Sequence, residues 1–143
     1  MHGCKLMHIV SEDNMRDLIK VYKTLSDESR LRVLNLLLER ECCVCEVMQA
    51  MEISQSKASR ILSALYGVGF LKLRKDGLWS LYSFDWEGMG VHLKDILEAT
   101  RRAFEGNKQM KIDREQLKTA ERVGPSCVNK ARRTQLSHQS SQS

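Results

Sequence analysis

The chain has 143 residues, with 23 Lys and Arg against 18 Asp and Glu for a net charge of +5, and this length suits one domain. Apolar residues make up 42% and charged residues 29%, which excludes a fibrous or wholly disordered chain. No stretch approaches the roughly 20 apolar residues of a membrane span, and Met1 to Val10 lacks the apolar run of a secretory signal, so the expectation is a soluble, cytoplasmic protein that meets no membrane.

Met15, Leu18, Ile19, Tyr22 and Leu25 recur at helical spacing and predict an amphipathic first helix. Ser26 or Asp27 caps a second helix, whose apolar stripe is Leu31, Leu34, Leu37 and Leu38. Glu41 to Ala50 reads as a short third helix. Ser54 caps a fourth, from Gln55 to about Val68, that buries Ala58, Ile61, Leu62 and Leu65. The period then changes: two short apolar runs around Asp76-Gly77 predict a β-hairpin. Trp86 to Phe104 returns to helical spacing, and with the first helix its apolar side suits a twin subunit or, equally, its own domain.

Residues 1–106 carry 15 basic and 15 acidic side chains, whereas residues 107–143 carry 8 and 3, so the whole surplus lies at the C-terminal end. That segment has few large apolar residues and ends in a Ser/Gln-rich run. It reads as a basic, flexible tail, at most a frayed helix at its start, behind a domain of residues 1–106.

Four helices, a hairpin and a last helix make the fold class mainly α with a small β-hairpin, in winged helix-turn-helix order. A recognition helix presents small or polar side chains at its N-terminal end. Here Gln55 suits an adenine edge and Arg60 a guanine or phosphate. Lys57 and the hydroxyls of Ser54, Ser56 and Ser59 suit backbone contacts. Lys72, Arg74 and Lys75 flank the hairpin turn, where a wing meets a neighbouring groove. Alone, the Ser/Gln-rich helix is equally a solvated surface face; with the wing beside it, double-stranded DNA becomes the expected partner.

Three of the five cysteines fall within Glu41-Cys42-Cys43-Val44-Cys45-Glu46. An odd count so clustered describes a thiolate site rather than a disulfide framework, and thiolates select soft ions such as As(III), Cd(II), Pb(II) or Zn(II). The plainer alternative is that some are small buried apolar residues. On a regular helix Cys42 and Cys45 share a face, while Cys43 and Cys45 nearly oppose each other. Chelation by Cys43 and Cys45 therefore predicts that the helix start unwinds. A redox switch through a Cys42–Cys45 or tail disulfide would use the same thiols. A thiol enzyme is not expected, because the βαβ context of a redox Cys-x-x-Cys is missing.

Residues from about Asn14 to Glu98 resemble the ArsR/SmtB family of metalloregulatory winged-helix repressors. The matching stretches are Leu25-Ser26-Asp27-Glu28-Ser29-Arg30-Leu31-Arg32-Val33-Leu34, Cys43-Val44-Cys45-Glu46, Ile53-Ser54-Gln55-Ser56-Lys57-Ala58-Ser59-Arg60, and the wing through Gly77-Leu78-Trp79. The resemblance implies a homodimer on an inverted-repeat operator, released when a metal or metalloid binds. Its arsenite-sensing branch uses a Cys-Val-Cys pair, matched by Cys43 and Cys45, with a further thiolate. Met48 stands where that branch often has its third cysteine, so Cys42 is expected to serve, with Cys4 or Cys127 as alternatives from the termini. Cadmium and lead sensors pair the same motif with N-terminal cysteines, which gives Cys4 a rival meaning. Ile61 replaces the His that commonly follows Ser-Arg, and His92 stands alone where other members build a zinc site, so no zinc is assigned there. The expectation is a repressor, with no organic cofactor, induced by As(III) or Sb(III); Cd(II) or Pb(II) is the alternative inducer.

Overall fold

The computed structural model describes residues 12–122, with side chains from residue 15 onward. Among them lie six helices and one hairpin, in the order α1 (Glu12–Leu25), α2 (Glu28–Glu39), α3 (Val44–Met51), α4 (Gln55–Gly67), β1 (Leu71–Asp76), β2 (Trp79–Phe84), α5 (Val91–Ala103) and α6 (Lys108–Lys118).

Helix α2 is the central element. Asp27 is its cap: the side chain accepts the Arg30 N–H at 3.0 Å, satisfying one of the orphan donors of the first turn. Val33, Leu34, Asn35, Leu36 and Leu37 are all buried, more of the circumference than a surface helix would hide, because α1, α4, β2 and α6 pack around it. Ser54 caps α4 by accepting the Lys57 N–H at 3.1 Å. Between α3 and α4 the chain turns through Glu52, whose φ of 55° is left-handed; that conformation reverses the chain in the αL manner of helix C-termini and sets the angle between the two short helices. Ala58, Ile61, Leu62 and Leu65 face the core, together with Phe70, and each large side chain there contributes about 1.5–3 kcal/mol by leaving water.

The two strands pair antiparallel from Leu71 opposite Phe84 to Asp76 opposite Trp79. Gly77 opens the two-residue loop with φ +63°, as the hairpin turns that match strand twist require. The last helix of the expected domain is shorter than its periodicity suggests. Residues 85–90 form a turn in which Asp85 Oδ1 accepts the Gly88 N–H at 3.0 Å, and α5 starts only at Val91.

Of the apolar stripe expected on α1, Leu25 packs against the core, while Met15, Ile19 and Tyr22 are exposed; Val21, outside that stripe, is buried. One expectation changes: the expected tail does not begin at residue 107. Asn107 caps α6 by accepting the Met110 N–H at 3.0 Å, and Met110 and Leu117 join the main core. Asp113, fully buried, accepts from Arg32 Nε at 2.7 Å and Arg32 Nη2 at 2.9 Å. Sparse apolar residues concealed this helix, because long-range ion pairing rather than apolar area anchors its middle. The remainder of the expected tail, 123–143, lies outside the described residues.

Candidate functional site

The thiol segment crosses from α2 to α3 over the base of the hairpin. Cys42 is in extended conformation and pairs with Tyr82 of β2, its N–H donating to the Tyr82 carbonyl at 3.0 Å and its carbonyl accepting the Tyr82 N–H at 2.8 Å. Successive side chains of an extended segment point to opposite faces. Cys42 accordingly enters the main core, where its Sγ donates to the Arg40 carbonyl at 3.4 Å. Cys43 points the other way and joins a second, smaller cluster with Cys45 and Leu81, with Trp79 packed against it.

The Sγ atoms of Cys43 and Cys45 are 3.1 Å apart. The helical geometry expected to keep them apart does not apply, because Cys43 is the N-cap of α3, at φ −92° and ψ 170°. Its side chain swings over the first helical residue toward Cys45, so the pair converges without unwinding. Cys42, the expected third ligand, is excluded from this convergence by the strand alternation. Among the described residues no group of three His, Cys, Asp or Glu is placed to hold a metal ion. Cys4 and Cys127 lie outside the described residues. Met48 is buried in the main core, and His92 is exposed on α5.

The pair is nearly dry, with Cys43 4% and Cys45 2% exposed. The neighbouring Cys45 sulfur and burial push the Cys43 thiol well above its ordinary range, while the Glu46 backbone N–H partly opposes them. Burial pushes Cys42 up to about 12. Cys45 Sγ also meets the Glu121 carbonyl at 3.7 Å, and Gln49 holds the backbone of Glu121 with both ends of its amide, donating at 2.8 Å and accepting at 3.0 Å. The indole N–H of Trp79 is buried without a hydrogen-bond partner among the described residues. Two convergent soft sulfurs in a buried apolar cluster fit two of the ligands of a thiophilic ion.

Glu46 secures this arrangement. It is 2% exposed and accepts the Cys43 N–H at 2.9 Å and Arg122 Nε at 2.9 Å, while Arg40 pairs with its other oxygen. Neither Glu46 nor Arg122 was apparent from sequence spacing as part of the site. The one available signal was the reciprocal capping pattern, in which a carboxylate three residues after the cap reaches back to the cap N–H.

On α4, Ser54, Ser56, Lys57 and Arg60 are exposed, with Gln55 and Ser59 half-buried between them. Ser63 and Tyr66 are exposed further along the helix, at i+3 and i+6 from Arg60. Lys72 is exposed on β1, and Lys75 Nζ donates to Ser80 Oγ at 2.7 Å. Arg74 is not a free cation: it forks onto the Glu41 carboxylate, Nε to Oε2 at 3.0 Å. Its guanidinium bonds there hold Glu41 below the ordinary carboxyl range.

Comparison with known proteins agrees with this architecture. Residues 27–77, from the cap of α2 to the hairpin loop, match the family described as "Bacterial regulatory protein, arsR family". The chain is 39% identical over 90 residues to the cadmium resistance transcriptional regulatory protein CadC homolog of Staphylococcus aureus, covering 62% of this chain and 71% of that protein. It is 41% identical over 95 residues to the arsenic resistance transcriptional regulator ArsR1 of Pseudomonas putida, covering 62% of this chain and 74% of the relative. A solved homodimeric winged helix-turn-helix DNA-binding domain, Mb0332 from Mycobacterium bovis, shares the fold at a TM-score of 0.54 and 22% identity, over 66% of this chain and 83% of that one.

Proposed function

Because the chain belongs to the ArsR family of bacterial regulatory proteins, a family of transcriptional regulators rather than enzymes, we propose that it is a homodimeric repressor released from its operator when As(III) or Sb(III) binds Cys43 and Cys45. The observation that carries this reading is the 3.1 Å approach of the two sulfurs within a buried apolar cluster. A soft trivalent ion takes both as thiolates and completes its coordination with one further donor, for which Cys4 and Cys127 remain the candidate thiols. Each thiol gives up its proton on binding.

In the DNA-bound state, α4 enters the major groove with Gln55 and Arg60 toward base edges. Ser54, Ser56, Lys57 and Ser59 meet the backbone, and Lys72, Arg74 and Lys75 lie along the wing. Two copies place two recognition helices on half-sites about one helical turn, or a multiple, apart. The exposed Met15, Ile19 and Tyr22 face of α1 supplies the surface for the twin.

The test is a release titration on an operator selected from a random duplex pool, using As(III), Sb(III), Cd(II) and Pb(II) on the wild type and on single Ser variants of all five cysteines. Cys43→Ser and Cys45→Ser should hold DNA and ignore As(III); unchanged release in both would sink the ligand assignment. Release by Cd(II) or Pb(II) alone, dependent on Cys4, would transfer the site to a cadmium or lead sensor. The same sulfur approach favours a second reading, oxidation of Cys43 and Cys45 to a disulfide by peroxide, with both thiol hydrogens leaving in water. It replaces the Cys42–Cys45 pairing, because Cys42 faces the other cluster. Release by peroxide without response to As(III) would select it.

A further inference from the structure

Three independent contacts tie the thiol pair to the wing. Cys42 continues the edge of β2 through its two backbone hydrogen bonds with Tyr82. Glu41 is held by Arg74 of β1. Cys43 and Cys45 form one buried cluster with Leu81, and Trp79 of β2 packs on it. The recognition helix has no member in that cluster; it packs on α3 through the main core, where Ala58, Ile61, Leu62 and Leu65 lie with Val47, Met48 and Met51.

We propose that occupancy of the Cys43–Cys45 pair is transmitted to DNA through the wing, with Glu41 as the positioning residue that couples the two. The proposal rests on the reading of that pair as the effector site. An ion held by both thiolates would need room between sulfurs that now stand 3.1 Å apart and are almost fully buried. Occupancy therefore moves the two side chains. A packed interior does not absorb such a change locally, and the apolar side chains packed with the pair are Leu81 and Trp79, with the Glu121 carbonyl 3.7 Å from Cys45 Sγ on the other side. Cys43 is also the N-cap, so its displacement pulls on Cys42 and Glu41, the two residues bonded to the hairpin. The hairpin tilts from its groove while α4 keeps its seat.

Glu41 has a second effect in the absence of ligand. It neutralises Arg74, a side chain placed where a wing meets phosphate. Glu41→Gln should free Arg74, tighten operator binding, and steepen the slope of log K against log salt by roughly 0.9, the value of one added phosphate contact. A purely structural role would leave that slope unmoved.

The experiment uses the full chain and the selected operator. Trp fluorescence reports As(III) binding through Trp79, with Trp79→Phe assigning the signal and Trp86 as the internal reference. Release is read separately by operator affinity with and without saturating As(III). Wild-type coupling should fall within the ordinary 5–150-fold range. Glu41→Gln should reduce it at least fivefold with an unchanged As(III) midpoint, and adding Arg74→Gln should cause no further loss beyond that of Arg74→Gln alone. Amide exchange at Tyr82 and Cys42 should speed up when As(III) binds. Wild-type coupling in Glu41→Gln, or unchanged protection at Tyr82, would overturn the proposal. Failure of the wild type to bind As(III) at all would instead remove the effector reading beneath it.

Discussion

Arg122 Nε lies 2.9 Å from Glu46 Oε1, joining the end of the described chain to the first turn of the thiol helix. The same oxygen accepts the Cys43 N–H, and Arg40 binds the other oxygen. One buried carboxylate thus holds the cap of α3, the end of α2 and the segment after α6 together.

Burial would raise the Glu46 pKa, but the Cys43 N–H and the bonds from Arg122 and Arg40 outweigh it and hold the carboxyl below 4.5. A lowered folded value contributes stability above the unfolded pKa, and that contribution is lost as pH falls through the folded one. Glu46→Ala should cost about 1–3 kcal/mol at pH 7, because the Cys43 N–H and Arg122 lose their acceptor and Arg40 loses one of its three. Urea midpoints check this: the gap between wild type and Glu46→Gln should narrow between pH 7 and pH 3.5. A constant gap would mean that Glu46 is not ionised in the fold.

Arg32 and Asp113 make the same point about α6. Asp113 is fully buried and shares its oxygens between Arg32 and Gln109. Arg32→Ala leaves that carboxylate without its counter-charge and should cost about 3–5 kcal/mol. Truncation after Gly106 should also lower the urea midpoint, since Leu117 and Met110 leave the core. Equal midpoints for truncated and full chains would return residues 107–118 to the status of a tail.

The helix order and the hairpin were legible because periodicity and capping residues are local signals, as Asp27, Ser54 and Gly77 illustrate. The Cys43–Cys45 pair was legible in composition but not in geometry. Whether i and i+2 thiols meet depends on whether the first is inside the helix or caps it, and Glu46 decides that by taking the Cys43 N–H at 2.9 Å. Helix α6 was illegible for a different reason. Its anchors, Arg32 to Asp113 and Asn35 to the Met110 carbonyl, connect residues more than 70 positions apart, and no window of sequence contains both ends.

Cys42 supplies a test at high pH. Its thiol is pushed up to about 12 by burial, against an ordinary value of 9.0. A raised folded value contributes stability below the unfolded pKa and loses it as pH rises through the folded one. The wild type should therefore lose stability between pH 9 and pH 12. Cys42→Ala should lose less over the same range, although it starts lower because a core side chain has been trimmed. Parallel alkaline curves would show that Cys42 ionises in place.

The outward face of α1 predicts the dimer. Met15, Ile19 and Tyr22 are 47%, 44% and 56% exposed and lie at i, i+4 and i+7, one continuous stripe. Ile19→Glu should give a monomer by sedimentation equilibrium and weaken operator binding at least tenfold, because the two half-sites are no longer engaged together. A dimer that survives this change would place the interface elsewhere.

Arg60 and Arg74 are both exposed cations on the elements proposed to face DNA, yet they should respond differently to removal. Arg74 has its charge met by Glu41, so without effector it offers phosphate little, and Arg74→Ala should leave the salt slope almost unchanged. Arg60 projects from α4 with no such partner among the described residues. If it forks onto a guanine, Arg60→Ala should weaken cognate binding by roughly 1–3 kcal/mol and leave non-specific duplex binding nearly intact. Titrating both variants on cognate and scrambled duplexes at several salt concentrations separates the cases. An equal loss on both duplexes, with the slope reduced by about one, would make Arg60 a phosphate contact and leave base reading to Gln55.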